Sequence, residues 1–333
     1  MLNAAIIGFG GIGQGAHVPA WKLLEQKGKA RLVAACDTDA ERFTQKQVIN
    51  ICEGDDTPAD LRTYTDIDEM LANEEIDIID ICLPTYMHAE MAVKMLRLGY
   101  AVHSEKPMAR TYDECLTMIK ASKDSGNELM IGQCLRFSAE YLFLKDIVES
   151  RKFGKPLSGV FRRMSSPPVW AWKNWYMNHS KSGGCLTDMH IHDVDMIRFL
   201  FGEPRVVSCV TGSIYSEDDM VHSSFRYDGI AVTAIGDWSL HGVEFTHDYR
   251  VGFEKATIIL ENNIVTVYPR EGEPWNPQLL SENMYMKELE YFTDLVASGG
   301  ANDINPPESA AATLNLIEKL KVSSDKNGYP ERV

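Results

Sequence analysis

Short apolar runs alternate with helical stretches through the first 134 residues, and this alternation restricts the possible folds more than any other feature of the chain. The runs Asn3 to Phe9, Ala30 to Cys36, Ile76 to Leu83, Ala101 to Ser104 and Leu129 to Cys134 are largely apolar and lack the in-and-out pattern of a half-exposed strand. Between them lie a helical segment reaching Leu24 and Glu25, then Asp39 to Val48, His88 to Leu98 and Tyr112 to Ser122. Strands buried on both faces and separated by helices predict a parallel sheet with right-handed crossovers and helices on both sides.

After about Phe137 the pattern changes. One helix (Ala139 to Glu149), a strand (Ser158 to Met164), a tryptophan-rich loop and a further helix lead into long alternating runs: Val206 to Tyr215, Val221 to Phe225, Ile230 to Leu240, Asp248 to Phe253, Thr257 to Leu260 and Ile264 to Tyr268. Alternation of this kind predicts mainly antiparallel sheet. Two helices, Glu282 to Ala297 and Glu308 to Val322, close the chain. The expectation is an α/β protein of two domains, 1–125 and 126–333, with the final helix packing back on the first.

Charge narrows the partners. The 33 basic and 48 acidic side chains leave a net charge of −15, which repels nucleic-acid phosphates and anionic lipid surfaces. Seven scattered cysteines without a C-x-x-C pair suggest neither a disulfide framework nor a thiolate zinc site. A reducing cytoplasm is the expected setting, with no membrane segment.

Gly8-Phe9-Gly10-Gly11-Ile12-Gly13 follows the first strand and fits G-x-G-x-x-G. Such glycines permit a tight turn and let backbone N–H groups approach a pyrophosphate at a helix N-terminus. Asp37 ends the second strand, where a carboxylate accepts from ribose hydroxyls and repels a 2′-phosphate, so NAD is expected over NADP. Lys106, in Glu105-Lys106-Pro107, follows another strand on the side where open α/β sheets bind ligands.

From Gly183 the chain reads as one helix, with Asp188, His192 and Asp195 at i, i+4 and i+7 on a common face among mostly apolar neighbours. His192 suits a general base at neutral pH, with Asp188 fixing its tautomer; the alternative is a core histidine satisfied by Asp188. Asp195 reads as structural or a substrate hydrogen-bonder. His190, at i+2 from Asp188, points elsewhere, and no metal site is expected because i and i+2 diverge on a helix. Trp170, Trp172, Trp175 and Tyr176 form either a sugar-stacking surface or the packing of a long loop. Arg163 and Lys173 either contact substrate or face solvent.

These motifs, with Pro84 and His88, Gln133 and Arg136-Phe137, together resemble the Gfo/Idh/MocA oxidoreductase family over essentially the whole chain. The resemblance implies an N-terminal Rossmann domain, a doubly wound parallel sheet, followed by an α+β domain whose large open sheet joins subunits into a homodimer or homotetramer. It implies NAD as cofactor, held by Gly8, Gly10, Gly11, Ile12, Gly13, Asp37, Pro84, His88, Glu105 and Lys106. It also implies Lys106, Asp188 and His192 as catalytic residues, a cis Lys106-Pro107 peptide, and a sugar, inositol or related polyol as substrate, with Arg163 and Trp172 among its contacts. His190 stands where many relatives have glycine, and Thr85 where many have asparagine. Two other activities share these residues: an NAD-retaining glycoside hydrolase and a non-catalytic NAD-binding regulator.

Overall fold

The structure is a computed structural model and describes residues 1–45, 48–49, 52–53, 58, 60–280 and 282–333. The chain divides into two compact units, Met1–Phe137 with Glu282–Ala311, and Ser138–Ser281 with Ala312–Val333. A boundary at 125/126 would cut the last parallel strand from its sheet, so the first unit runs on through Phe137.

In the first unit β1 (Leu2–Ile7) leads through a π-turn, Gly13–His17, into α1 (Val18–Gln26) and β2 (Ala30–Cys36). The helix expected over Asp39 to Val48 is instead a 3₁₀ turn, Ala40–Phe43, closed by the Asp39 carboxylate accepting the Glu41 N–H. Short-range side-chain bonds of this kind compete with helix propagation. Val48–Ile49 (β3) pairs with Cys52–Glu53 (β4), and Lys46 and Gln47 lie outside the described residues.

The chain continues through β5 (Arg62–Tyr64), α2 (Ile67–Asn73), β6 (Ile78–Ile81), α3 (His88–Leu98), β7 (Ala101–Glu105), α4 (Tyr112–Ser125) and β8 (Leu129–Gly132). Thr111 and Glu114 form a capping box that starts α4. The six-stranded sheet has the order β5-β2-β1-β6-β7-β8, and its strand pairs are all parallel. The order reverses direction between β1 and β6, which is where such sheets open a crevice at their carboxyl ends.

The second unit contains α5 (Ala139–Ser150), β9 (Pro156–Met164), a 3₁₀ turn (Trp172–Met177), α6 (His179–Ser182), α7 (Gly184–Asp188) and α8 (Ile191–Phe201). Six strands follow: β10 (Val206–Gly212), β11 (Met220–Arg226), β12 (Ala231–Asp237), β13 (Thr246–Phe253), β14 (Ala256–Glu261) and β15 (Ile264–Pro269). Helix α9 (Met284–Ser298) belongs to the first unit; α10 (Pro307–Asp325) lies mostly in the second, with β16 (Glu331–Arg332) at the end. Thus α9 and the first residues of the final helix, up to Ala311, belong to the first unit. There Met286, Leu289, Phe292 and Leu295 of α9 pack with Trp21 and Leu24 of α1.

The eight-stranded sheet has the order β15-β14-β13-β9-β12-β11-β10-β16, with β9 and β12 parallel and the other pairs antiparallel. Alternate residues on one face (Phe161, Val232, Phe225, Tyr249, Val251, Ile258 and Leu260) are buried. Burying each such side chain contributes about 1.5–3 kcal/mol, which fixes strand register. Among the described residues, no helix is long and apolar enough to cross a membrane.

Candidate active site

The glycine turn is shaped by contacts on two sides and open on a third. Gly8 has φ +96°, and a Cβ there would lie 2.7 Å from the Cys82 carbonyl oxygen; one on Gly13 would lie 2.7 Å from the Gly8 oxygen. A Cβ on Gly10 would meet nothing within 4 Å. The first and third glycines therefore allow strand, turn and helix to approach, while the second leaves its backbone accessible to a pyrophosphate. Gly11 and Ile12 are half-buried beside it. Asp37 is attached to the same turn: its Oδ2 accepts the Phe9 N–H at 2.8 Å and its Oδ1 accepts the Asp39 N–H at 2.9 Å. These residues fit a dinucleotide.

Pro84 ends the loop after β6 and caps the turn Thr85–Met87, where Thr85 is buried. His88 lies buried behind that loop, its Nδ1 2.8 Å from the Pro107 oxygen and its Nε2 2.7 Å from the Leu83 oxygen. The imidazole thus ties the loop after β6 to the loop after β7 rather than offering a ring nitrogen to a ligand. Burial pushes its pKa below the usual value, against the support of the two carbonyls. Lys106 is half-buried at the end of β7, and its peptide bond to Pro107 is cis.

Glu105 is taken up by protein groups. Its Oε1 accepts from His17 Nε2 at 3.0 Å, and its Oε2 accepts the Lys106 backbone N–H at 3.0 Å. The other ring nitrogen of His17 donates to Asp80 Oδ2 at 2.8 Å. Asp80 also accepts from Trp21 Nε1 at 2.8 Å and from His103 Nδ1 at 2.9 Å. Burial alone would lower the His17 pKa, but the charges and hydrogen bonds of Asp80 and Cys82 together outweigh it, and the pKa stands well above its usual value. Burial opposes ionisation of Asp80 and Glu105 as well, and in both the His17 partnership holds the carboxyl below its usual range. Donor atoms of His17, Asp80 and His103 cluster within 4.8 Å of one another. The nitrogens hydrogen-bond to the carboxylate, where a metal would need their lone pairs.

Sequence reasoning passed over this cluster. Its signal was an aspartate inside the otherwise apolar strand Ile78–Ile81, together with a histidine on a buried helix face.

In the second unit, the helix expected to run unbroken from Gly183 is two helices. Gly183 has φ +81°, and Gly184 φ +69°. A Cβ on Gly184 would lie 2.4 Å from the Glu217 oxygen. Helix α7 ends at Asp188, where the Met189 and His190 N–H groups both donate to the Cys185 oxygen, and α8 begins at Ile191. The i, i+4, i+7 geometry of one continuous helix therefore does not hold. The break turns His190 inward, its Nε2 2.7 Å from Ser223 Oγ and its ring over Gly236, where a Cβ would be 2.9 Å from Nδ1. Ser223 donates to the Ala234 oxygen, so the Nε2–H of His190 donates to Ser223 and Nδ1 keeps a lone pair. Burial pushes the His190 pKa down to about 3, leaving the ring neutral. From Ser182 to Arg198, His192 is the one residue that is not buried; Asp188 is 9% exposed.

Other residues singled out from sequence have different work. Asp195 is buried and accepts from Thr313 Oγ1 at 2.8 Å, joining α8 to α10. Arg163 is 3% exposed and binds Asp193 through two hydrogen bonds of 3.1 and 3.3 Å, so it anchors α8 to β9 instead of meeting a substrate. Trp172 stands apart from its aromatic neighbours, with Lys173 Nζ 4.3 Å from its ring centre. The ring cluster is Trp170, Trp175, Tyr176 and Trp238, with Trp175 and Tyr176 centred 4.0 Å apart. Lys173 and Asn174 take positive φ there, which turns the intervening chain. Gln133 and Arg136 are buried in the first unit, and Arg136 donates to the Ile304 oxygen and Ser309 Oγ.

Comparison with known proteins agrees with this geometry. Residues 2–133 match the model of the GFO_IDH_MocA oxidoreductase family with its NAD-binding Rossmann fold, and residues 141–259 match the family's C-terminal domain. The chain is 30% identical over 283 residues to an inositol 2-dehydrogenase of Rhizobium meliloti, covering 77% of this chain and 83% of the relative. It is 25% identical over 231 residues to a 2,7-anhydro-N-acetylneuraminate hydratase of Mediterraneibacter gnavus, covering 67% of this chain and 58% of that one. A levoglucosan dehydrogenase solved with NADH and levoglucosan shares the fold, with a TM-score of 0.83 at 20% identity over 100% of this chain and 99% of that one. The glycine turn with its attached aspartate, the parallel sheet that carries it and the matched C-terminal domain together place this chain in the Gfo/Idh/MocA family of NAD-binding oxidoreductases.

Proposed function

We propose that the protein is an NAD-dependent dehydrogenase acting on a secondary alcohol of an inositol, sugar or related polyol. The observation that carries this reading is His192, the one side chain to emerge from an otherwise buried stretch, directly after the helix that ends in Asp188. In this reading the His192 imidazole takes the hydroxyl proton of the alcohol. The Asp188 carboxylate orients that ring and stabilises its charged form, and the Lys106 ammonium donates to the substrate oxygen. NAD, when bound, supplies the hydride acceptor. Preference for NAD over NADP is supported by Asp37, whose charge at the end of β2 disfavours a 2′-phosphate, and by Arg42, which pairs with Asp39. The inositol and levoglucosan enzymes among its relatives support a polyhydroxylated substrate.

The test is NADH formation across inositols, aldoses and their acids. Turnover with one of them, reduced about 10²- to 10⁴-fold by His192→Ala and by Lys106→Ala with NAD binding intact, is expected. Full turnover in both variants would sink the assignment. The hydratase relative favours a second reading, in which oxidation is transient and NAD is regenerated on the enzyme. Substrate conversion without net NADH would decide for it.

A further inference from the structure

His17 sits in a π-turn, a one-residue irregularity that often marks functional sites, directly after the glycines that approach the dinucleotide. It is fully buried, yet a carboxylate faces each of its ring nitrogens: Asp80 from β6 at 2.8 Å and Glu105 from β7 at 3.0 Å. Ionised carboxylates only accept hydrogen bonds, so both nitrogens carry protons and the ring is an imidazolium. Glu105 is the next link, because its second oxygen holds the backbone N–H of Lys106. The chain of contacts therefore runs Asp80, His17, Glu105, Lys106, with charges alternating along it.

We propose that His17 is a positioning residue for Lys106: by bridging Asp80 and Glu105, it holds the Glu105 carboxylate in the orientation that grips the Lys106 amide. This rests on the role given to Lys106 above. Without the cation, a buried Glu105 loses its partner on one oxygen and takes up a proton. Other groups face the same ring. Cys82 Sγ is 3.4 Å from Nδ1, the His103 ring is centred 5.6 Å away and the Tyr285 ring 5.8 Å away. Glu288 approaches His103 Nε2 at 3.8 Å, and neither of its oxygens has a hydrogen-bond partner. Burial pushes the Glu288 pKa well above the usual value, which disfavours a third anion beside Asp80 and Glu105. None of these groups bridges to Glu105 and Lys106 as His17 does.

Two measurements test the proposal. Nitrogen-15 NMR of the histidine rings in the full chain needs no substrate: His17 is expected to be protonated on both nitrogens at about pH 8, above the ordinary histidine range. A neutral ring there overturns the proposal. With the substrate found above, His17→Gln and Glu105→Gln are each expected to lower kcat about tenfold or more, with the KM for NAD changed by less than about threefold. The double variant should be no worse than the poorer single one, because both act through one contact chain. Additive losses, or losses only in NAD binding or folding, overturn it. The two hypotheses fail separately. Turnover surviving Lys106→Ala sinks the reading of the site, whereas loss in Lys106→Ala with full turnover in His17→Gln sinks this inference alone.

Discussion

Four histidines in this chain show how surroundings assign work to one side chain. His17 lies between two carboxylates, His88 between two carbonyl oxygens, His190 against a serine hydroxyl, and His192 at the edge of a buried helix. The residue type was legible in the sequence. Which histidine is buried, and against what, came from contacts between residues as far apart as 17 and 105, or 190 and 223. Arg163 carries the same lesson, since nothing nearby in sequence marked Asp193 as its partner. Both are almost fully buried, so Asp193→Asn strands a guanidinium in the interior. The expected cost is about 3–5 kcal/mol, read from urea unfolding. A loss below about 1 kcal/mol, the range of exposed pairs, would show that the pair is hydrated instead.

At the level of elements, apolar runs and alternation located most strands and helices to within a few residues, because burial on both faces or on alternate faces leaves a direct mark on composition. Elements with little apolar signature were passed over. Strand β5 (Arg-Thr-Tyr) is an exposed edge, and α2 has one buried residue, Met70. The break between α7 and α8 was also invisible, because Met189 and His190 contain neither proline nor glycine; the inward pull of Ser223 and the space left by Gly236 make it. The preceding glycine pair holds the start of that segment. Gly184→Ala meets both a positive φ and the Glu217 carbonyl, so a loss of about 1–3 kcal/mol is expected, with reduced turnover because Asp188 follows in the same short helix. An unchanged melting temperature would show that the Glu217 loop yields freely.

For the whole molecule, the two units should respond oppositely to pH. In the second, burial keeps His190 (pKa about 3) and His247 (about 4) neutral. Once unfolded, both bind protons below about 6.5, so this unit weakens as pH falls from there and is level just above it. In the first, the His17 pKa is raised, its burial outweighed by Asp80 and Cys82 together. Its contribution is fully present below about 6.5 and is lost as pH rises through the folded value. Glu288, raised by burial, works in the same direction above about 4.3. Hydrogen exchange from about pH 6.5 to 8, corrected for intrinsic rates, should show the first unit losing protection and the second holding level. A first unit that gains stability over that range would contradict the protonation states described here.

The alternation of the main strands and helices, the glycine turn, Asp37 at the end of the second strand and Lys106 just after the strand Ala101 to Ser104 follow from the sequence, because each depends on local spacing or on the pattern that burial imposes. Tertiary structure alone decided that Arg163 binds Asp193, that Trp172 leaves the ring cluster, that the long helix breaks before His192, and that Asp80, His17 and Glu105 form a chain reaching Lys106. Those outcomes depend on which polar groups meet inside the protein. A buried charge must find a partner wherever the fold brings one, and no periodicity along the chain records that choice.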